Sequence, residues 1–142
     1  MALIIIGIII IYLLVVIWTW TSLEDIEKKS KILIIFIGII VVFLVTQIVF
    51  SISKNGIVYG NEDIEKSISI VIMLLFTGIN SLLLPFLGRN LKRRADGEID
   101  NNILRLRIII ILVIFLMCLF LECGYMKDIQ EGILNIYKSN VK

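Results

Sequence analysis

The 142-residue chain lacks histidine altogether, and it contains only one proline and two cysteines. Without histidine, a serine–histidine dyad and a histidine-bearing metal site are both excluded. The sequence also lacks a cysteine cluster, a phosphate-binding glycine loop and a dinucleotide-binding fingerprint. We therefore expect a protein that is not an enzyme and that uses no metal and no cofactor.

Charged residues are missing from several long stretches, and 59% of all residues are hydrophobic. Soluble globular domains contain about 45–50% apolar residues, so the composition indicates an integral membrane protein. The net charge of +2 is too small to favour nucleic acid as a partner. Abundant isoleucine and an excess of lysine over arginine are typical of a low-GC bacterial genome. We therefore expect a multi-pass protein of the plasma membrane with the lipid bilayer as its first partner.

Four apolar runs are long enough to cross a bilayer, which takes about 20 residues in a helix. They predict an all-α fold of four transmembrane helices with short loops, at residues 2–20, 32–53, 67–88 and 104–126. These spans form one transmembrane domain at 1–126. Residues 127–142 place apolar side chains at helical spacing, which predicts an amphipathic tail at the membrane interface or against a partner.

The basic residues predict the orientation. Nine of the 14 Lys and Arg lie in the loops after the first and third spans, and five lie at the other side. The positive-inside rule then places both termini outside and the loop 89–107 in the cytoplasm, with the opposite orientation as the alternative. The cytoplasmic anchor of this loop consists of Arg89, Lys92, Arg93, Arg94, Arg105 and Arg107.

The segment EDIEK occurs twice, at residues 24–28 and 62–66. A separation of one span puts the two copies on opposite sides of the membrane, so they cannot form one site. Each copy precedes an apolar run. Ser22 could cap a helix with the acidic Asp25 three residues on, and Asn61 could cap a helix at the second copy. We interpret the repeat as helix-start chemistry that both positions need.

Polar residues inside the predicted spans are the candidate intramembrane site, because polar groups are costly in hydrocarbon. The candidates are Gln47, Thr77, Asn80, Ser81, Pro85 and Glu122. Thr77, Asn80 and Ser81 share one helix face, and Pro85 kinks the same helix near its end. We expect Glu122 to face the interface or to pair with Gln47. The set is typical either of packing between helices or of a ligand pathway.

Two functions fit these features. The first is a non-catalytic interaction or accessory protein, including an immunity-type protein, that binds a membrane-protein partner. The alternative is a homo-oligomeric small transporter, channel or holin-like pore, in which the polar residues line the pathway. A homo-oligomer is needed there because four helices seldom enclose a pathway alone.

Overall fold

The protein was analysed as a computed structural model that describes residues 2–52 and 63–141. These residues form five helices: α1 (Ala2–Ser22), α2 (Lys28–Ile52), α3 (Asp63–Ser81), α4 (Leu84–Ala95) and α5 (Asn101–Val141). No strand occurs in the two described ranges. The predicted all-α class is therefore confirmed for this part of the chain.

Four segments have the length and composition of membrane spans, as predicted from the apolar runs. They are Ala2–Ser22, Lys28–Ile52, Lys66–Ala95 and Asn101–Asn140. The boundaries differ most in the last two segments. The third continues past residue 88 to Ala95, and the fourth continues far past residue 126.

The third segment, made of α3 and α4, forms the centre of the bundle. Half of the residues in its most apolar stretch are buried, against 17% in α1, 17% in α2 and 11% in α5. Helix α1 packs against both α3 and α4, as does α5, while α2 packs mainly against α3. The three outer helices therefore turn much of their apolar surface away from the protein.

The central segment is broken at Leu82 and Leu83, and this break corrects the predicted single helix at 67–88. The amides of Leu82 and Leu83 donate to carbonyls three residues back, at 3.1 and 3.2 Å, which is a tight 3₁₀-type turn. Pro85 follows in the first turn of α4 and has no N–H with which to bond the Ser81 carbonyl. The break thus lies inside the third segment and not close to its end.

Short turns with defined caps join the helices at one end of the bundle. Gly97, at φ +75°, ends α4 in a Schellman motif: Glu98 N donates to Arg93 O at 3.0 Å, and Gly97 N to Arg94 O at 3.1 Å. Asp100 then caps α5, because its Oδ1 accepts from Ile103 N at 2.8 Å. Asp96 and Gly97 thus form the turn between α4 and α5.

The first EDIEK copy leads into α2 at Lys28, but Ser22 does not cap that helix, which corrects this part of the interpretation of the repeat. Ser22 ends α1 and donates its hydroxyl to Thr19 O at 2.8 Å. The residues that follow form a turn in which Asp25 has φ 68°, and α2 begins only at Lys28. The second copy enters α3 at Asp63, and its proposed cap Asn61 lies outside the described residues.

The predicted tail is part of α5, which runs without interruption to Val141. Part of its apolar side is covered within the chain, whereas Ile136 is exposed. Met126 and Ile133 are buried in a cluster with residues from the end of α2 and the first half of α3, namely Phe50, Ile68, Ile72, Met73 and Phe76. The Gln130 amide also lies 3.5 Å from the Ser69 hydroxyl on α3.

Two glycines allow α1 to lie close to the central segment. A Cβ atom at Gly78 would lie 3.1 Å from Ile11 Cγ2 on α1. At Gly88 it would lie 2.9 Å from Ser22 Oγ and 3.2 Å from Leu23 Cδ2. Small residues of this kind let helix backbones approach each other where the surroundings offer no hydrophobic driving force.

Replacement of Gly88 tests this close approach. We expect Gly88→Leu to lower the free energy of unfolding by about 1–3 kcal/mol, because the new side chain overfills the contact between α1 and α4. Gly124→Leu is the matched control, because nothing lies within 4 Å of a Cβ atom at Gly124. Denaturant unfolding in detergent micelles measures both variants. Equal stability of the two variants would contradict the close packing.

Candidate functional site

Three helices meet at the side chain of Asn80 near the end of α3. Its amide Nδ2 donates to Glu122 Oε2 on α5 at 3.0 Å. The same nitrogen lies 3.5 Å from Thr46 Oγ1 on α2, which is a longer and weaker contact. We call Thr46, Asn80 and Glu122 the polar cluster. It links helices that are far apart in the sequence.

Thr46 supplies the contribution of α2 to the polar cluster, and Gln47 does not. Thr46 is fully buried, whereas Gln47 is exposed. The predicted pairing of Glu122 with Gln47 is therefore wrong, because the rotation of α2 turns Gln47 away from α5. Thr46 was recognisable as a polar residue of the span, but only the packing shows which of the two neighbours faces inward.

Glu122 lies on the inward face of α5. Leu119 and Met126, about one turn on either side of it, are buried to 1% and 0% exposure. The side chain of Glu122 is itself half-buried. The carboxyl group is thus directed toward α3 and toward the Asn80 amide, while its predicted position at the membrane interface stays a prediction.

Ser81, on the same predicted polar face, bonds within its own helix, and α1 bonds to α3 one turn before Thr77. Ser81 donates its hydroxyl to Thr77 O at 2.7 Å, a bond that tends to bend a helix and lies just before the break. Tyr12 on α1 donates to Leu74 O at 3.0 Å. Thr77, Asn80 and Ser81 are all buried, at 1%, 2% and 0% exposure. Of this face, Asn80 is the residue that reaches α2 and α5.

One acceptor of the polar cluster is left over. Asn80 Oδ1 is buried and has no hydrogen-bond partner among the described residues. An unpaired buried polar atom of this kind is uncommon, since leaving it unbonded costs about 1–3 kcal/mol. The cluster therefore retains the capacity to accept one further hydrogen bond.

The basic anchor residues lie around the carboxyl end of α4, away from the polar cluster. Lys92 lies 3.6 Å from Asp25 and 4.0 Å from Glu24, so the loop after α1 and the loop after α4 share one end of the bundle. Arg93 pairs with Glu98 at 2.9 Å, and Arg94 donates to Asn101 at 2.6 Å. The basic side chains of the last turn also complement the dipole of α4.

Arg107 and the remaining anchor residues are arranged around the same end. Arg107 on α5 donates to Asn90 Oδ1 on α4 at 3.0 Å. Arg89 lines a polar pocket of about 500 Å³ together with Lys92 and Arg93, whereas Arg105 is exposed on α5. The six residues predicted as the anchor therefore lie at one end of the bundle.

Known proteins offer no guide to this site. Comparison of the chain with protein-family models, curated proteins and solved structures finds no match. Within residues 2–52 and 63–141, no three or more Cys, Asp or Glu side chains are grouped so that they could hold a metal ion. Function is therefore inferred from the residues and their contacts.

A double-mutant cycle tests the bond between Asn80 and Glu122. We expect Asn80→Ala and Glu122→Ala to be coupled by about 0.6 kcal/mol, and by no more than about 1.7 kcal/mol, because bonds between helices in lipid have this strength. The coupling is measured by unfolding in detergent micelles. Gln47→Ala is the control, and we expect its effect to stay within about 0.5 kcal/mol. Additive effects of the two alanine changes would show that the bond is absent.

Proposed function

We propose that the chain is an integral membrane protein of the plasma membrane with four spans. Its four candidate spans contain 21, 25, 30 and 40 residues, each enough for a bilayer that requires about 20. Large apolar side chains on the outer helices are exposed, among them Ile9, Phe36 and Leu116. The polar residues Thr46, Asn80 and Ser81 are buried instead. This arrangement suits a protein whose surroundings are hydrocarbon.

We further propose that both termini lie outside and that the loop 89–107 is cytoplasmic. The excess of Lys and Arg in the first and third loops supports this orientation. The ion pairs of Lys92 with Asp25 and Glu24 support it as well, because they bring these two loops to the same end. Trp18 and Trp20 lie at that end of α1, and Lys31 Nζ lies 4.8 Å from the centre of the Trp20 ring. Interfacial aromatic residues commonly anchor helix ends in this way.

The best-supported role is that of a non-catalytic accessory or immunity-type protein that binds another membrane protein. One observation carries this proposal: the polar cluster is occupied by bonds between helices, and the cavity next to it is apolar. That cavity is lined by aliphatic and aromatic side chains apart from Asn80. Such a lining suits a packed bundle better than an aqueous pathway. The outer faces of α1, α2 and α5 would then contact the partner by close packing.

The second candidate is a homo-oligomeric transporter, channel or holin-like pore. It is favoured by Glu122, since carboxyl groups within spans commonly mark ion or proton pathways. The unpaired Asn80 Oδ1 adds an acceptor near the break between α3 and α4, and transporters use broken helices at binding sites. In this proposal the pathway forms between copies of the chain.

Purification of the tagged protein from its host distinguishes the two roles. With the accessory role, native mass spectrometry of the protein in mild detergent should show a second membrane protein at fixed stoichiometry. The control is a tagged helical membrane protein of similar size, prepared in parallel, because nonspecific contaminants would accompany both. A discrete homo-oligomer without a second protein would contradict the accessory role and favour the pore.

Flux through proteoliposomes tests the second candidate. If the polar cluster lines a pathway, Glu122→Gln should lower proton or cation flux at least tenfold while the amount and oligomeric state stay unchanged, because the change removes the ionisable group. Gln47→Leu is the control, since Gln47 is exposed outside the cluster. A dye trapped in the vesicles reports the flux. Equal flux in Glu122→Gln and the unchanged protein would exclude this pathway.

A further inference from the structure

An apolar groove runs between α2, α4 and α5, with a volume of about 400 Å³. Its walls are aliphatic and aromatic, and Asn80 is the one polar residue in its lining. On α2 the lining extends from Leu33 to Val42, about 14 Å along the helix axis. Leu84 from α4 forms part of the floor, close to Gly38.

The groove opens sideways, toward the surroundings of the bundle. Leu33, Val41 and Leu112 line it and are 58%, 50% and 51% exposed. In a membrane the space would be filled by an acyl chain. Filling alone gives no preference for one lipid, because lipid tails are as apolar as the side chains of the groove. Any preference for one lipid over another must therefore come from the lipid headgroup.

Basic side chains lie at one end of the groove. Lys29 precedes Leu33 by about one turn on the groove face of α2, and Arg107 precedes Ile111 by one turn on α5. Arg107 is fixed by its bond to Asn90 at 3.0 Å, and Asn90 follows the lining residue Leu87 by one turn of α4. This end is also the one at which the basic loops meet.

Neither cation is neutralised by a neighbouring carboxylate. In the part of the chain that the structure describes, Lys29 and Arg107 form no ion pair, whereas Lys92 and Arg93 pair with acidic residues. Of the acidic residues near this end, Glu98 pairs with Arg93, and Asp100 accepts a bond from a backbone amide of α5. Glu27 and Asp96 also lie at this end, and neither forms an ion pair with Lys29 or Arg107. The positive charge at the end of the groove is therefore available to an anion.

We propose that this groove binds one anionic phospholipid from the leaflet on the basic side of the bundle. One acyl chain lies between α2 and α5 and extends toward Asn80, and the phosphate lies between Lys29 and Arg107. Each cation near a membrane surface favours an anionic lipid by about fivefold. The acyl chain also keeps water away from the bond between Asn80 and Glu122. The inference rests on the proposed membrane location and is independent of any protein partner.

Lipid retention on the purified chain tests the site. The protein is reconstituted in vesicles of equal parts phosphatidylglycerol and phosphatidylcholine, extracted in mild detergent and examined by native mass spectrometry. We expect one phosphatidylglycerol for each chain, retained in preference to phosphatidylcholine. Equal retention of the two lipids would overturn the proposal. Since no partner is present, this result is separate from the test of the accessory role.

Two pairs of matched variants locate the bound lipid. Val41→Trp should block the groove and remove the retained lipid, while Ile40→Trp, on the adjacent residue but outside the lining, should keep it. Lys29→Gln should reduce the preference for phosphatidylglycerol by about fivefold, and the addition of Arg107→Gln should reduce it further. The control Lys127→Gln with Lys138→Gln removes two charges from the other end and should leave the preference unchanged.

The same variants can also contradict the proposed lipid site. If Ile40→Trp loses the lipid as Val41→Trp does, the lipid does not lie in this groove. If the control at Lys127 and Lys138 lowers the preference as much as the change at Lys29 and Arg107, the retention reflects overall charge. Thermal unfolding of each variant in the same detergent shows whether it is folded, and Arg107→Lys, which keeps the charge, should retain the lipid.

Discussion

The buried amide of Asn80 joins three helices in the interior of the bundle. Its bond to Glu122 at 3.0 Å favours one rotation of α5 about its axis, and its longer contact with the buried Thr46 accompanies the inward face of α2. Helices α2 and α5 have little direct contact with each other. In the proposed membrane location the association of helices has no hydrophobic driving force, so close packing and polar contacts of this kind would decide which faces meet.

The break in the central segment separates two kinds of packing. On the α3 side of the break, the helix is enclosed by α1, α2 and α5, with aromatic contacts such as that between Phe50 and Phe76, whose ring centres lie 5.5 Å apart. On the other side, α4 carries the basic side chains and packs against α1 and α5. The change of helix at Leu82–Leu83 therefore coincides with the change from a buried interior to a charged end.

Much of the architecture was predictable from the chain, because uncharged runs of about 20 residues are rare in proteins that do not cross a membrane. The four spans and their all-helical character follow from hydropathy, and so does the concentration of basic residues at one end. The position of Pro85 predicted a disturbance in the third span. Its form as a complete break depended on the local bonding of Ser81 and on the tight turn at Leu82 and Leu83, which composition does not encode.

The details of the candidate site were less predictable, because they depend on how each helix is rotated. Asn80 and Glu122 were identified as unusual residues within spans. Their mutual bond was not predicted, because it depends on how α3 and α5 are rotated. The same holds for α2, where Thr46 and Gln47 are adjacent and only tertiary packing decides which of them faces inward. The first EDIEK segment shows the same limit. Its capping chemistry resembles that of the second copy, yet the short connection between α1 and α2 imposes a turn there.

Helix α5 is about 60 Å long, twice the thickness of a bilayer core of about 30 Å. Its 41 residues contain no proline, and they continue from the Asp100 cap to Val141 without a joint. A displacement or rotation of the carboxyl end of α5 would therefore be transmitted along the continuous helix to its basic end. Glu122 lies near the middle of α5. The polar cluster is therefore the point about which α5 would rotate in such a movement.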